Sequence, residues 1–511
     1  MAKAIKVIRN FYRDSVSLMQ VSSRLAAVPG ISQASAIMAS EANLALLREA
    51  KLLDGSADAG PNDLLIALEG RDRAAIDSAI GQAEAAFNDK PVALGGGIRR
   101  QKPRSLEMGI EAMPEANLAL ISTPGDYAAA EASKALRLGL NVMLFSDNVP
   151  SADEIMLKRF ARDRSLIVMG PDCGTAIIGG IPLGFANVVR RGAIGVVAAS
   201  GTGLQQVSSI IDRLGEGISQ AIGTGSHDLS SKIGGITMLQ GLEGLAADPA
   251  TKVIVLVSKP PATDVVERIL GAARRARKPV VVNFLGADPK SISGGNLHPV
   301  KTLEDAAYAA VALVRGKTPK SAPQIKDAKL PPVSRGQRYV RGLYSGGTFC
   351  FEASLLLGEA LSPVYSNTPV GKAERLADVW KSKANTVVDL GDDVFTRGRP
   401  HPMIDHRLRN ERILMEAVDP EVAVILLDVV LGYGSHMNPA GEVAAAIGKA
   451  RSRAAKAKRK IAFVGFVCGT DRDPQGFADQ ERTLREAGMI LAPSNAQAVR
   501  LAARIAGGAA R

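Results

Sequence analysis

Ala193-Ile194-Gly195-Val196-Val197-Ala198-Ala199-Ser200-Gly201-Thr202-Gly203 is an apolar run that stops at a Ser-Gly-rich turn. A continuous apolar run, a turn, and then a stretch reaching Arg213 with helical spacing read as a buried strand that opens a helix. The pattern returns at Gly342-Leu343-Tyr344-Ser345-Gly346-Gly347-Thr348. A second pair repeats too. Asp248-Pro249-Ala250-Thr251-Lys252-Val253-Ile254-Val255-Leu256-Val257 matches Asp419-Pro420-Glu421-Val422-Ala423-Val424-Ile425-Leu426-Leu427, at an offset of 171 residues. Further on, Lys278-Pro279-Val280-Val281-Val282 is answered by Lys460-Ile461-Ala462-Phe463-Val464. Repetition at this scale predicts two copies of one α/β domain, packed as a pseudo-dimer within the chain.

Upstream of these copies, strands and helices alternate. Strands are expected at 5–8, 31–38 and 63–68, with helices at 15–28, 41–53 and 72–87. A Gly- and Arg-rich stretch from Gly95 to Arg104 then separates this small module from a βαβ unit. In that unit, strands at 117–122, 141–145 and 166–169 enclose helices at 125–138 and 151–164, which implies a parallel sheet. A Pro- and Lys-rich stretch at 316–337 reads as an interdomain linker. The chain is therefore α/β, with several Rossmann- or flavodoxin-like parallel-sheet domains. The boundaries read as a small N-terminal α/β domain at 1–94, a Rossmann domain at 105–190, and the two repeats at 191–315 and 338–511.

The 511 residues exceed a single compact core. With 46% hydrophobic and 22% charged residues the composition is that of a folded protein. No apolar run approaches the roughly 20 residues that span a bilayer, and Met1 to Val7 holds no apolar core of a secretory leader. Three scattered cysteines and five unclustered histidines give neither a disulfide framework nor a metal signature, so no metal is assigned. A cytoplasmic location is the simplest expectation. Much of the net charge of +12 comes from Lys449 to Lys460, where basic residues alternate with Ala as on a solvated helix face. Aromatics make up only 4%, so stacking platforms for single strands are not evident. Neither nucleic acid nor membrane is expected as a partner.

The chemistry centres on the two Ser-Gly turns. A turn that opens a helix offers free backbone N–H groups and the positive end of the helix dipole, which together suit an anion. Ser200, Gly201, Thr202 and Gly203 in one copy, and Ser345, Gly346, Gly347 and Thr348 in the other, are candidate phosphate-binding residues. An ordinary helix cap explains either turn alone; two copies related by pseudo-symmetry can aim both helix ends at one anion. Gly223-Thr224-Gly225-Ser226-His227-Asp228 is a second Gly-rich loop, whose small residues suggest close backbone approach to a ligand. His227 is a candidate general acid or base, with a structural histidine as the alternative. Arg397 and Arg399, in an irregular stretch ending His401-Pro402-Met403-Ile404-Asp405, are candidates for clamping a carboxylate or phosphate, with a solvated loop as the alternative. The turns after Ser122 and Met169 sit where ligands bind on parallel sheets.

At these residues the chain resembles the succinyl-CoA synthetase superfamily. Ser122-Thr123-Pro124 with its helix is similar to the second half of the alpha subunit's CoA-binding domain. Gly170-Pro171-Asp172-Cys173-Gly174 is similar to that family's Gly-Pro-Asn-Cys-Pro-Gly motif, which implies Pro171, Asp172, Cys173, Gly174 and Thr175 as a CoA-facing loop and CoA as the one candidate cofactor. Ser200-Gly201-Thr202 matches the start of the alpha subunit's phosphate-facing helix, and the segment from Ser345 resembles the beta subunit's C-terminal ligase domain. The repeats thus look like an alpha-type and a beta-type ligase domain. Over essentially its full length the chain resembles the FdrA family, on Asp14-Ser15-Val16, Gly342 to Thr348, and His401 to Asp405. Three parts of CoA-ester-forming relatives are replaced: the phosphorylated Gly-His-Ala-Gly segment by Gly294-Gly295-Asn296-Leu297-His298-Pro299, the ATP-grasp domain by a direct passage between the repeats, and the N-terminal CoA loop by the small module.

The FdrA resemblance implies one subunit of an oxamate carbamoyltransferase in purine-ureide catabolism, interconverting oxalurate plus phosphate with oxamate plus carbamoyl phosphate. It implies as ligands carbamoyl phosphate or phosphate and a small carboxylate or amide, and as partners the other subunits of a hetero-oligomer. Two further readings stay open: a CoA-ligase-type subunit, and a non-catalytic scaffold or regulator built on the same fold.

Overall fold

The computed structural model describes residues 2–13, 15–88, 103–292, 294–325, 330–396 and 399–508. The chain divides into two compact units: residues 1–168 with 393–405, and residues 169–392 with 406–511.

The first unit opens with β1 (Ala2–Ile8), α1 (Ser15–Ala26), β2 (Ile31–Met38), α2 (Glu41–Glu49), β3 (Leu64–Gly70) and α3 (Arg73–Asn88), in an antiparallel sheet ordered β1-β3-β2. The period-2 alternation of β3 builds two cores. Leu64, Ile66 and Leu68 pack with Leu18 and Leu25 of α1 and Ile76 and Ala79 of α3, while Leu65 and Ala67 pack with Leu44 and Leu47 of α2. Next come α4 (Leu106–Ala112), β4 (Leu118–Ile121), α5 (Gly125–Arg137), β5 (Asn141–Leu144), α6 (Ser151–Arg162) and β6 (Val168–Met169), in a sheet ordered β4-β5-β6. Ala128, Ala132, Ala135 and Leu136 line the buried face of α5 at helical spacing. Gly125 starts that helix because a Cβ there would lie 2.5 Å from the Asp147 carbonyl oxygen.

The second unit contains β7 (Thr175–Ile178), β8 (Ile181–Gly184), β9 (Arg191–Ala198), α7 (Gly201–Arg213), β10 (Ile218–Gly223), α8 (Ile236–Ala247), β11 (Val253–Ser258), α9 (Thr263–Arg275), β12 (Val280–Phe284), β13 (Leu297–Pro299) and α10 (Leu303–Val314). The second repeat follows with β14 (Tyr339–Tyr344), α11 (Gly347–Ala360), β15 (Val364–Ser366), β16 (Glu374–Arg375), β17 (Asn385–Asp389), α12 (Asp393–Thr396, which belongs to the first compact unit), α13 (Arg407–Glu416), β18 (Val422–Val430), α14 (Pro439–Lys456), β19 (Ala462–Cys468), α15 (Phe477–Glu486), β20 (Met489–Leu491) and α16 (Asn495–Gly508). Two seven-stranded sheets result, ordered β13-β12-β11-β9-β10-β7-β8 and β16-β15-β17-β14-β18-β19-β20. From the strand that opens the Ser-Gly turn, the parallel succession β9-β11-β12-β13 is repeated as β14-β18-β19-β20. The sequence repeat is thus a repeat of topology.

The copies differ beyond the other side of the opening strand. One sheet ends in the antiparallel hairpin β7–β8, turned at Gly179 and Gly180 with φ of 60° and 85°. This hairpin lies within the segment 105–190, which the sequence suggests as one Rossmann domain, yet its strands complete the sheet of the first repeat through the β10–β7 pair. The Gly-Gly step between two apolar runs is the hairpin signal. The repeats meet through helices: α7 packs against α11, and α10 against α16. Polar ties join them. The Leu303 N–H of the first repeat donates to Glu352 of the second at 2.8 Å, and Ser494, Gln497 and Arg500 of the second donate to Glu304 of the first. The basic run at 449–460 lies on α14 and the turn after it, with Ala450 and Ala454 buried and most of the charges exposed, as a solvated helix face requires.

Candidate functional site

The two Ser-Gly turns meet. Ser200 caps α7, its hydroxyl accepting from the Gly203 N–H at 2.9 Å. That hydroxyl lies 2.6 Å from the Thr348 hydroxyl in the first turn of α11. A Cβ at Gly346 would stand 3.0 Å from Thr202 Cγ2 and 2.5 Å from the Phe349 ring, so only glycine permits this approach. The first-turn N–H groups at Gly201, Thr202, Gly347 and Thr348 have no acceptor within their own helices. Gly201 is exposed and Gly347 half-buried, so the joined helix openings reach solvent.

The α11 opening carries two carboxylates that sequence reasoning missed. Asp428, in β18, accepts from the Ser345 N–H (2.9 Å), the Ser345 hydroxyl (2.8 Å), the Gly346 N–H (2.8 Å) and Arg409 Nη1 (2.9 Å). Ser345 and Gly346, expected as phosphate donors, are therefore engaged by a carboxylate of the protein itself. Asp389, at the end of β17, stands over the start of α11, with Oδ2 2.6 Å from where a Gly347 Cβ would be. Burial pushes its carboxyl up to about 6, although Lys259 and the Gly391 N–H act the other way. One signal was present in the sequence: a carboxylate interrupting the apolar run Val422–Val430 must have a buried partner. Nothing local marks Arg409 as that partner.

The CoA-like loop lies against the α7 opening. Thr175 Oγ1 donates to the Phe185 carbonyl at 2.7 Å and would meet a Cβ on Gly201 at 3.2 Å. Cys173 is buried against Gly223. Here one expectation is corrected. The glycines at 223 and 225 make room not for a ligand but for the chain itself: a Cβ at Gly223 would strike the Cys173 sulfur at 2.6 Å, and one at Gly225 (φ +85°) would strike the Pro171 carbonyl oxygen. Within the same loop His227 is exposed, while Asp228 is buried and receives the Thr237 and Met238 N–H groups that open α8. Arg399 is exposed and belongs, with residues 393–405, to the first compact unit; the helix openings belong to the second. Arg397 lies outside the described residues.

Comparison with known proteins gives the class first. A CoA-ligase family model matches residues 343–505, a CoA-binding domain model matches 190–286, and a model described as AllF, heavy metal-associated domain, matches 1–103. The CoA-binding match thus falls on the first repeat rather than on segment 105–190. Together with the two ligase-type sheets, these matches place the chain among succinyl-CoA synthetase-like proteins. Within them it belongs to the FdrA-like family, being 43% identical over 504 residues to the uncharacterised protein YahF of Escherichia coli K12, across 97% of both chains. A succinate–CoA ligase (ADP-forming) alpha subunit of Trichomonas vaginalis is 29% identical over 184 residues, 34% of this chain and 57% of the relative. A solved dinucleotide-forming acetyl-coenzyme A synthetase of Ca. Korarchaeum cryptofilum aligns with 77% of this chain and 83% of its own at 16% identity, with a TM-score of 0.32.

The heavy-metal description does not fit this module. Residues 1–103 contain neither cysteine nor histidine. Asp63 is occupied by Arg9 and the Asn10 N–H, and Met38 is buried in the core. Among the described residues no group of three His, Cys, Asp or Glu could hold a metal ion. Among those residues, too, no helix is long and apolar enough to cross a membrane.

Proposed function

We propose that this chain is the phosphate-handling subunit of a ligase-type group-transfer enzyme, making or breaking an acyl phosphate at the joined openings of α7 and α11. The 2.6 Å contact between the Ser200 and Thr348 hydroxyls carries the reading, because it sets helix ends from two domain copies side by side. N–H groups preset around such an anion stabilise the charge that develops on its acyl group during transfer. In the finer reading the acyl group is carbamoyl, as for an oxamate carbamoyltransferase. A phosphate oxygen adds to the ureido carbon of oxalurate, the tetrahedral intermediate collapses, and the C–N bond breaks. The departing nitrogen takes a proton and leaves as the oxamate amide. Ser200 to Gly203 and the Gly347–Thr348 turn hold the phosphoryl group, and partner subunits complete the enzyme. Asp389, with its carboxyl near 6, is suited to exchange the proton.

A second reading is favoured by the matches to CoA-ligase and CoA-binding models and by the succinate–CoA ligase relatives: an acid–thiol ligase subunit with Pro171 to Thr175 facing CoA. One assay separates them. The chain, alone and with cell extract as a source of partners, is supplied with oxalurate and phosphate, or with a carboxylic acid, CoA and nucleotide. Phosphate-dependent release of oxamate supports carbamoyl transfer. CoA-dependent nucleotide turnover with intact oxalurate replaces it with the ligase reading. Partner capture with neither activity, unaffected by changes at Ser200 and Thr348, is the outcome for a scaffold.

A further inference from the structure

A cavity of about 250 Å³ opens in the seam between the repeats. Its walls are the loop after β12, the start of α10 and one face of α11, where Glu352, Leu355, Leu356 and Glu359 fall at i, i+3, i+4 and i+7. The loop from Leu285 to Pro289 leaves the carboxyl end of a parallel strand, the edge at which such sheets take ligands. At the mouth Lys301 pairs with both oxygens of Glu359 at 2.8 Å, and Asp288 adds an exposed carboxylate. Leu285, Leu355 and Leu356 make the walls apolar. Glu352 stands at the inner end, 1% exposed. Among the described residues its oxygens accept from neutral donors alone, the Leu303 N–H and Asn495 Nδ2, at 2.8 Å each. The neighbouring cations are committed elsewhere, Lys301 to Glu359 and Arg500 to Glu304. A buried carboxylate without a counter-charge is costly, and burial pushes this one up to about 7. Each of its oxygens keeps a second lone pair.

We infer that this cavity binds a small primary ammonium on a short apolar stem, with the ammonium against Glu352 and the stem between Leu285, Leu355 and Leu356. The inference goes beyond the phosphate site and does not depend on it. An ammonium presents three donors and no acceptor, so it suits oxygens with lone pairs to spare and supplies the charge that the inner end lacks. An anion would meet the carboxylates of Glu352 and Asp288, with Lys301 already neutralised by Glu359. A neutral ligand of the same shape gains the apolar contact alone. A cavity of this volume admits a stem of a few carbons rather than a nucleotide or a coenzyme.

The test is calorimetric titration of the full chain with n-butylammonium and with butan-1-ol, its uncharged counterpart in shape, at pH 6 and pH 8 and constant ionic strength. The wild type is expected to bind n-butylammonium saturably, and about tenfold or more tighter than the alcohol. The ammonium needs Glu352 ionised, and a carboxyl titrating near 7 makes binding about tenfold tighter at pH 8 than at pH 6. The other ionisable groups that face Glu352 are Glu304 of α10, paired with Arg500 of α16, Tyr344 of β14, and Lys301, Glu359 and Asp288 around the cavity. Glu352→Gln separates its titration from theirs and is expected to lose both the binding and the pH dependence. Ala287→Phe fills the half-buried mouth without removing either Glu352 hydrogen bond, and guards against misfolding of the first variant; it is expected to keep a cooperative melting transition and lose binding. Equal affinity for alcohol and ammonium, no saturable binding of the ammonium, equal binding at the two pH values, or binding that survives in either folded variant overturns the inference. Each of these outcomes leaves the phosphate-site reading standing.

Discussion

Replacing Asp428 by alanine should be among the most damaging single changes in the second compact unit. Asp428 and Arg409 are both 0% exposed, and the carboxylate also holds the Ser345 and Gly346 N–H groups and the Ser345 hydroxyl. Its removal leaves a guanidinium buried without a counter-charge, together with unpaired donors at the start of α11. Breaking a buried pair from one side costs about 3–5 kcal/mol, and each abandoned buried donor adds about 1–3, less than additively because all share one carboxylate. The expected loss for Asp428→Ala is about 5 kcal/mol. Arg409→Met should cost less, about 2 kcal/mol, because the remaining carboxylate keeps three donors and the positive end of α11. The assay is urea denaturation followed through Trp380, the chain's one tryptophan, which lies in the second repeat. A cost below about 1 kcal/mol for Asp428→Ala, or a larger cost for Arg409→Met, would refute the claim that this carboxylate organises the α11 opening.

Asp389 should make anion binding depend on pH. Its folded-state carboxyl lies near 6, above the ordinary aspartate value, so the stability it lends is full below about pH 4 and is lost as pH rises through 6. Sulfate, which does not titrate in this range, should bind more tightly at pH 5 than at pH 7.5, and Asp389→Asn should flatten the difference; a difference that persists in calorimetry of the variant contradicts the assignment. Gly225→Ala puts a Cβ onto the Pro171 carbonyl at φ +85° and should destabilise the protein by about 2 kcal/mol or more, which an unchanged melting temperature would disprove. The full chain, incubated with Zn²⁺ or Cu⁺ and desalted, should retain no stoichiometric metal by mass spectrometry; one tightly held ion per chain would contradict the ligand-poor reading of residues 1–103.

The repeat was legible because both copies keep the features that parallel sheets demand: continuous apolar strands and a small-residue turn at each helix start. Asp248 and Asp419 marked corresponding strands that the structure places at corresponding positions in the two sheets. The β7–β8 hairpin was hidden because its short strands follow a loop that resembles the end of a different domain, and only long-range pairing assigns it to the next sheet. The helix openings could be named, but not their content. Asp428 reaches Ser345 across 83 residues and Arg409 reaches Asp428 across 19, distances at which sequence carries no pairing signal. Gly223 and Gly225 show the converse error. Small residues report a close approach, not what approaches, and here it is the backbone of Pro171 and Thr175.

The central claim is an anion site where α7 meets α11, and phosphate titration of the wild type beside Gly201→Asp tests it most directly. Gly201 is exposed at the α7 opening, so the substitution adds a negative charge there without filling the core. The account predicts saturable phosphate binding by the wild type and a loss of about tenfold or more in the variant. Equal phosphate affinity in the two proteins, or no saturable binding by the wild type, would contradict it.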